Sequence, residues 1–305
     1  MIEGFTSKHF TIEKVSPHVY AAIAKEGGGS AANAGFVDLG DKVMVFDTFN
    51  TQQASEDLRY IAEKVTKQPI TWVINSHWHG DHIRGNQTFN DRNIISSEIT
   101  FSKMKEIHPS RISKQKNDLQ GLSHYIESLS KKNDPALQEQ IHFLRELETS
   151  LPTLELTLPH QTFKGELTFF GTTCSANLFS LGGGHSCCDA ILYIPEEKVI
   201  FMGDLLFVGC HPTFFEESNQ DQWVEILRKV EELDFEAAIP GHGPVGGKDD
   251  VVQLIQYIKE LQEAVRDWDG IEEIHIPGQY RDWTSTDIFY QNVNMLQKQL
   301  NGLTN

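Results

Sequence analysis

The stretch NSHWHGDH, residues 75–82, gathers His77, His79, Asp81 and His82 within six positions. Imidazole nitrogen and ionised carboxylate are the ligands that zinc and similar divalent ions prefer, at about 2.0–2.2 Å. His77 and His79 can converge on one ion from an irregular loop, while the adjacent Asp81 and His82 turn to another. Gly80 is expected to permit the backbone bend between them. Three more candidate ligands each follow an apolar, strand-like run: His185 after LFSLGGG, Asp204 after KVIFMG and His242 after AAIPG. Seven ligands are too many for one tetrahedral ion. They fit two ions about 3.5–4 Å apart if one carboxylate bridges. Taken singly, His185, Asp204 or His242 reads as an ordinary hydrogen-bonded loop residue. The density of HxHxDH and the shared strand-end setting turn the reading toward a metal centre.

A set of strands must position these residues. HVYAAIA (18–24), AGFVDLG (34–40) and KVMVFD (42–47) read as strands, the last two joined by a Gly40-Asp41 hairpin turn. KEGGGS (25–30) is a loop, and residues 53–66 read as an amphipathic helix. PITWVIN (69–75) reads as a short strand buried on both faces, with the histidine run at its C-terminal end. Further strands are expected near 154–158, 162–170, 175–181, 189–194, 198–202 and 235–243. Helices are expected over 221–233, 249–266 and 285–300. Neighbouring strands joined by short turns exclude a purely alternating parallel sheet, and two sheets with helices outside satisfy the order.

Residues 99–150 differ in character, being polar and helical in period. They read as two or three helices inserted into one domain spanning 1–305. Ile126, Leu129, Leu137, Ile141, Leu144 and Leu147 supply apolar helix faces that need burial. The block either covers the metal edge, makes a homodimer contact, or forms a hairpin on the outside of the main fold.

On these motifs the chain resembles the metallo-β-lactamase superfamily, from about Asn33 to Gly247 and interrupted by the helical block. FVDLGDKVMVFDTF (36–49) is similar to the family's N-terminal hairpin. The resemblance implies an α/β (α+β) fold, an αββα sandwich with the metals at one edge between the sheets. It implies that His77, His79 and His185 hold one metal, that Asp81, His82 and His242 hold another, and that Asp204 bridges. The implied cofactors are two zinc ions, or other divalent metals in their place. Asp47 matches a strand-end aspartate that supports the ligand loop. The implied reaction is hydrolysis of a small ester, lactone, thioester or amide. Metal ions lower the pKa of bound water to about 7, and the resulting hydroxide attacks a carbonyl carbon. Asp81 or Asp204 would orient the nucleophile and pass a proton to the leaving group.

Departures from subfamilies narrow the reading. The β-lactamases with a cysteine ligand lack the histidine that His82 matches and carry cysteine where Asp204 stands; those that keep that histidine lack the bridging aspartate. GDLLFVGCHPTFFE (203–216) is similar to a glyoxalase II segment, but residues 250–305 show no basic cluster for glutathione. Lactonases of the family have tyrosine where Phe207 stands. The alternatives are therefore a glyoxalase II-like thioesterase, iron-dependent sulfur or oxygen chemistry, and β-lactam hydrolysis. An intact ligand set weighs against a non-catalytic relative. Cys187, Cys188 and Cys210 are expected as small buried residues, His211 as a residue behind the ligands or on the surface, and Trp78 as packing or pocket wall. His108, His124, His142 and His160 are expected at the surface.

Composition excludes other classes. The net charge of -17 argues against a nucleic-acid partner. Lys103, Lys105, Arg111, Lys114 and Lys116 read as a solvated helix face. No run approaches the 18 or so apolar residues of a membrane span. Four cysteines without a CxxC fit a reducing cytoplasm. The expected partner is a small-molecule substrate.

Overall fold

The apolar runs of the sequence become two sheets, seen in a computed structural model that describes residues 4–268 and 273–303. The first sheet holds β1 (Phe10–Lys14), β2 (Val19–Ala24), β3 (Ala34–Asp38), β4 (Val43–Phe46), β5 (Ile70–Ile74), β6 (Asn93–Ser97) and β7 (Gln161–Phe163), in that order. The second runs β12-β11-β10-β9-β8, formed by β8 (Glu166–Phe170), β9 (Ser175–Gly182), β10 (Asp189–Ile194), β11 (Val199–Phe207) and β12 (Ala237–His242). β1 to β4 pair antiparallel and β4 to β7 pair parallel. Parallel neighbours need crossovers. Helix α1 (Gln52–Thr66) supplies the one between β4 and β5.

Side-chain alternation sorts the apolar residues into layers. In β4, Val43 and Val45 face Leu58 and Ile61 of α1, while Met44 and Phe46 face the second sheet. The remaining helices are α2 (Gly80–Ile83), α3 (Glu98–Asn117), α4 (Leu119–Ser130), α5 (Gln138–Ser150), α6 (Gln220–Glu231), α7 (Lys248–Arg266) and α8 (Thr286–Leu303). In β11, Val199 and Phe201 face inward, and Ile200 and Met202 pack with Trp223 of α6 and Ile258 of α7. The result is an αββα sandwich, as the resemblance implied.

Three expectations change. Residues 154–158 form no strand; they follow a 3-10 turn, with Leu154 extended and buried in one cluster with Ile112 of α3. The expected strand 162–170 is two strands in different sheets, turning at Gly165 with φ +75°. Strand propensity continues through this segment, so the crossing left no periodic mark. Strands β1 and β6 were not foreseen. β6 reads NIISS, with too few apolar residues to declare itself.

Helices α3, α4 and α5 lie in the chain between β6 and β7. α3 approaches the edge where β5 ends: Met104 packs with Trp78, Ile83 and Cys188. α4 and α5 pair through a small core of Ile126, Leu129 and Ile141.

Candidate metal centre

All seven chosen residues meet at the edge where strands of both sheets terminate. β5 delivers His77 and His79 in the turn after Ile74, and Asp81 and His82 sit on the one-turn helix α2. The second half of the motif is therefore helical. Gly80 opens that helix rather than bending the chain, correcting the expected role. His185 lies in the β9–β10 loop, and His242 is the last residue of β12. Asp204 lies inside β11 and not past its end. It follows Gly203, whose φ of +51° accompanies a register shift against β12. A Cβ at Gly241 would collide with Asp204 Oδ1, so glycine there keeps room for the carboxylate.

The ligand atoms form two groups, each within 4.8 Å: His77, His79, His185 and Asp204 in one, Asp81, His82 and His242 in the other. Asp204 faces both groups. Its Oδ2 lies 3.1 Å from His185 Nε2 and 3.8 Å from His77 Nε2. Its Oδ1 lies 3.0 Å from His82 Nε2 and 3.5 Å from His242 Nε2. Asp81 Oδ2 is 3.6 Å from His242 Nε2 and 3.8 Å from His82 Nε2. His185 Nε2 and His79 Nδ1 approach to 3.1 Å.

The donor set fits divalent metal. Buried polar atoms are normally hydrogen-bonded. Here His77 Nε2, His82 Nε2 and Asp204 Oδ1 are buried without a hydrogen-bond partner. The charge states also suit a cation. Burial, reinforced by His82 and His79, holds His77 well below the usual imidazole pKa and leaves its lone pair free. Burial opposes charge on His82, yet Asp204, Asp47 and Asp81 outweigh it and hold His82 well above that value. The carboxylate potential that keeps a proton there is the potential a divalent ion would occupy. Burial works against ionised Asp204 too, but His82, His242 and His185 hold its pKa well below the carboxylate range.

The candidate ligands are held from behind. Asp47, at φ +61°, accepts from Ser76 N at 2.8 Å and Ser76 Oγ at 2.7 Å, and its Oδ2 lies 2.8 Å from His82 Nδ1. This is the supporting place the resemblance gave it. The His82 carbonyl accepts from Thr48 N at 2.9 Å and Thr48 Oγ1 at 3.1 Å. Asn33 ties the β12 end to the β2–β3 loop, donating Nδ2 to the carbonyls of Pro240 and Gly243. Glu217 Oε1 accepts from Trp78 Nε1 at 2.9 Å and lies 3.3 Å from His79 Nε2.

A cavity of about 600 Å³ opens over the cluster, lined by His79, Asp81, His185, Asp204 and His242. Trp78, Ile107, Arg111, Phe215 and Glu217 complete much of its wall. Trp78 is thus both buried packing and wall. Arg111 belongs to this wall and not only to a solvated helix face. His108 is buried, its Nε2 2.7 Å from the Trp78 carbonyl, which corrects the surface expectation. His211 is buried among Tyr257, Trp283 and Phe289, and it touches no ligand. His124, His142 and His160 are exposed as expected. Cys188 and Cys210 are buried and Cys187 is half-buried. Phe207 stacks on His242 with ring centroids 5.1 Å apart, so no hydroxyl is offered there. Glu217 was missed. It lies 139 residues from Trp78 in sequence, and nothing in TFFEESN marks it.

Comparison with known proteins agrees with this geometry. The family model described as the metallo-beta-lactamase superfamily matches residues 27–242. A Caenorhabditis elegans protein named "Beta-lactamase-like protein 2 homolog" is 23% identical over 286 residues, 92% of this chain and 78% of its own. A Bacteroides fragilis "Metallo-beta-lactamase type 2" is 22% identical over 265 residues, 84% of this chain and 86% of its own. Among solved structures, a metallo-beta-lactamase from Pontibacter korlensis superposes with a TM-score of 0.61 at 16% identity, covering 82% of this chain and 99% of that one.

Proposed function

The chain belongs to the metallo-β-lactamase superfamily, and from that premise we propose that it is a dinuclear zinc hydrolase acting on a small ester, lactone, thioester or amide. One observation carries the reading: the two oxygens of Asp204 face two separate ligand groups beneath an open cavity. His77, His79 and His185 would hold one ion, Asp81, His82 and His242 the other, and Asp204 would bridge. Such ions, when bound, activate water at neutral pH and polarise a carbonyl oxygen.

The remaining work falls to the chain. Asp81 and Asp204 differ in access, their side chains being 27% and 5% exposed. Asp81 is therefore the better placed to take a proton from the nucleophile and return it to the leaving group. Asp204 stays at the centre and fixes the spacing of the two groups. Trp78 and Phe215 give the cavity apolar faces for the acyl part of a substrate. Four free cysteines fit the cytoplasmic location that we propose. No helix among the described residues is long and apolar enough to cross a membrane.

The test joins metal analysis to turnover. Two zinc ions per chain are expected, with hydrolysis of at least one member of a panel of esters, lactones, thioesters and β-lactams. His79→Ala and Asp204→Ala should each lower turnover by more than about 100-fold, beyond the range usual for losing a ligand's hydrogen-bond partner. One iron per chain, or unchanged turnover in both variants, overturns the reading.

A further inference from the structure

We propose that Arg111 forms an anion-binding subsite in the cavity, and that the substrate carries a carboxylate toward helix α3; this rests on the hydrolase reading above. Arg111 lies one turn after Ile107 on α3, and both line the cavity that contains Asp81 and Asp204. Its guanidinium stands 4.9 Å from the centroid of the Trp78 ring. That ring is a fixed platform. Trp78 is buried, its Nε1 donates to Glu217 at 2.9 Å, and its carbonyl accepts from His108 Nε2 at 2.7 Å. A guanidinium stacked on an aromatic face keeps its N–H edge free, and that edge matches a carboxylate with two parallel bonds.

Among the described residues no carboxylate takes that edge. Among the described residues Arg111 has no ion pair, although Arg59 reaches Asp91 at 2.8 Å and Arg92 reaches Glu63 at 3.3 Å. Glu217 is engaged by Trp78 and His79. Glu216 also lines the cavity but is not paired with Arg111. Arg84 strengthens the positive potential on this side. It donates to Gln115 of α3 at 2.8 Å, leaves its buried Nε without a partner, and interacts electrostatically with Asp81 and Arg111. A monoanion whose carboxylate lies a few bonds from the scissile carbonyl would place one end on Arg111 and the other over Asp204. The apolar wall of Ile107 and Trp78 suits the methylene groups between.

The experiment compares p-nitrophenyl hemisuccinate, which carries a free carboxylate, with neutral p-nitrophenyl butyrate, using the zinc-loaded full chain and its Arg111→Gln variant. The wild-type ratio of kcat/KM, anionic over neutral, should exceed one and fall about 10-fold in the variant, mainly through KM. Succinate binding, measured by calorimetry on the same two proteins, should weaken by a similar factor. Metal content in the variant should match the wild type, which checks its fold. An unchanged ratio with turnover intact overturns the subsite and leaves the hydrolase reading standing. If neither ester turns over, the hydrolase reading is in question, and calorimetry still decides the subsite: equal succinate affinity overturns it.

Discussion

Glu217 donates nothing to either ligand group, yet it governs how His79 presents itself. A neutral imidazole carries one proton, and a carboxylate beside Nε2 keeps the proton there and the Nδ1 lone pair free. Nδ1 is the atom that meets His185 Nε2 at 3.1 Å. The same carboxylate anchors Trp78, so one residue would set both the tautomer of a candidate ligand and a cavity wall. Glu217→Ala should weaken zinc binding by about 10–100-fold, read by competition with a chromophoric chelator. Glu217→Gln keeps an acceptor oxygen and should recover part of the loss. Equal zinc affinity in wild type and Glu217→Ala would contradict this role. At this scale the sequence was legible where residue type alone announces chemistry. The seven candidate ligands stood out because histidine and aspartate crowd strand ends. Glu217, Arg111 and His108 went unread because their meaning lies in neighbours contributed by distant elements.

Helices α3 to α5 divide their labour. α3 carries Ile107, His108 and Arg111 to the cavity side, while α4 and α5 close on one another around Ile126, Leu129 and Ile141. That small core should open without disturbing the sheets. Ile141→Ala removes a buried side chain and should cost about 2–4 kcal/mol locally. Hydrogen exchange should accelerate in 119–150 and stay unchanged in β5 and β11, with metal content preserved. Acceleration spreading equally to those strands would show one cooperative unit instead. Helix periods made α1, α6, α7 and α8 legible to within a few residues, and the apolar runs gave β4, β5 and β10. The failures share a cause. Residues 154–158 have strand-like composition but find no ladder partner, and 162–170 changes sheets at Gly165. Pairing partners are set by the whole fold, which local periodicity does not encode.

The candidate ligands come from both halves of the sandwich: His77, His79, Asp81 and His82 follow β5 of the first sheet, while His185, Asp204 and His242 belong to the second. Their side chains gather three imidazoles around Asp204 Oδ1 and Oδ2 at 3.0–3.5 Å. Asp204 is buried at the centre of this cluster, a carboxylate that cations would pair with. Ions held by residues of both sheets would therefore act as a clasp across the open edge of the sandwich. An ion that binds only the folded chain stabilises it by about 2.7 kcal/mol when present at 100 times its Kd. For a chain of this size each kcal/mol moves Tm by about 2–4 °C. Stripping the metals with a chelator should thus lower Tm by about 5 °C or more, and returning zinc should restore it. Exchange at the ends of β5 and β11 should quicken together in the stripped protein, because the clasp joins them. Asp204→Ala should show a much smaller response to zinc, since it loses the carboxylate that faces both groups. A Tm that stays within about 1 °C on chelation would mean the two sheets hold this edge without the ions.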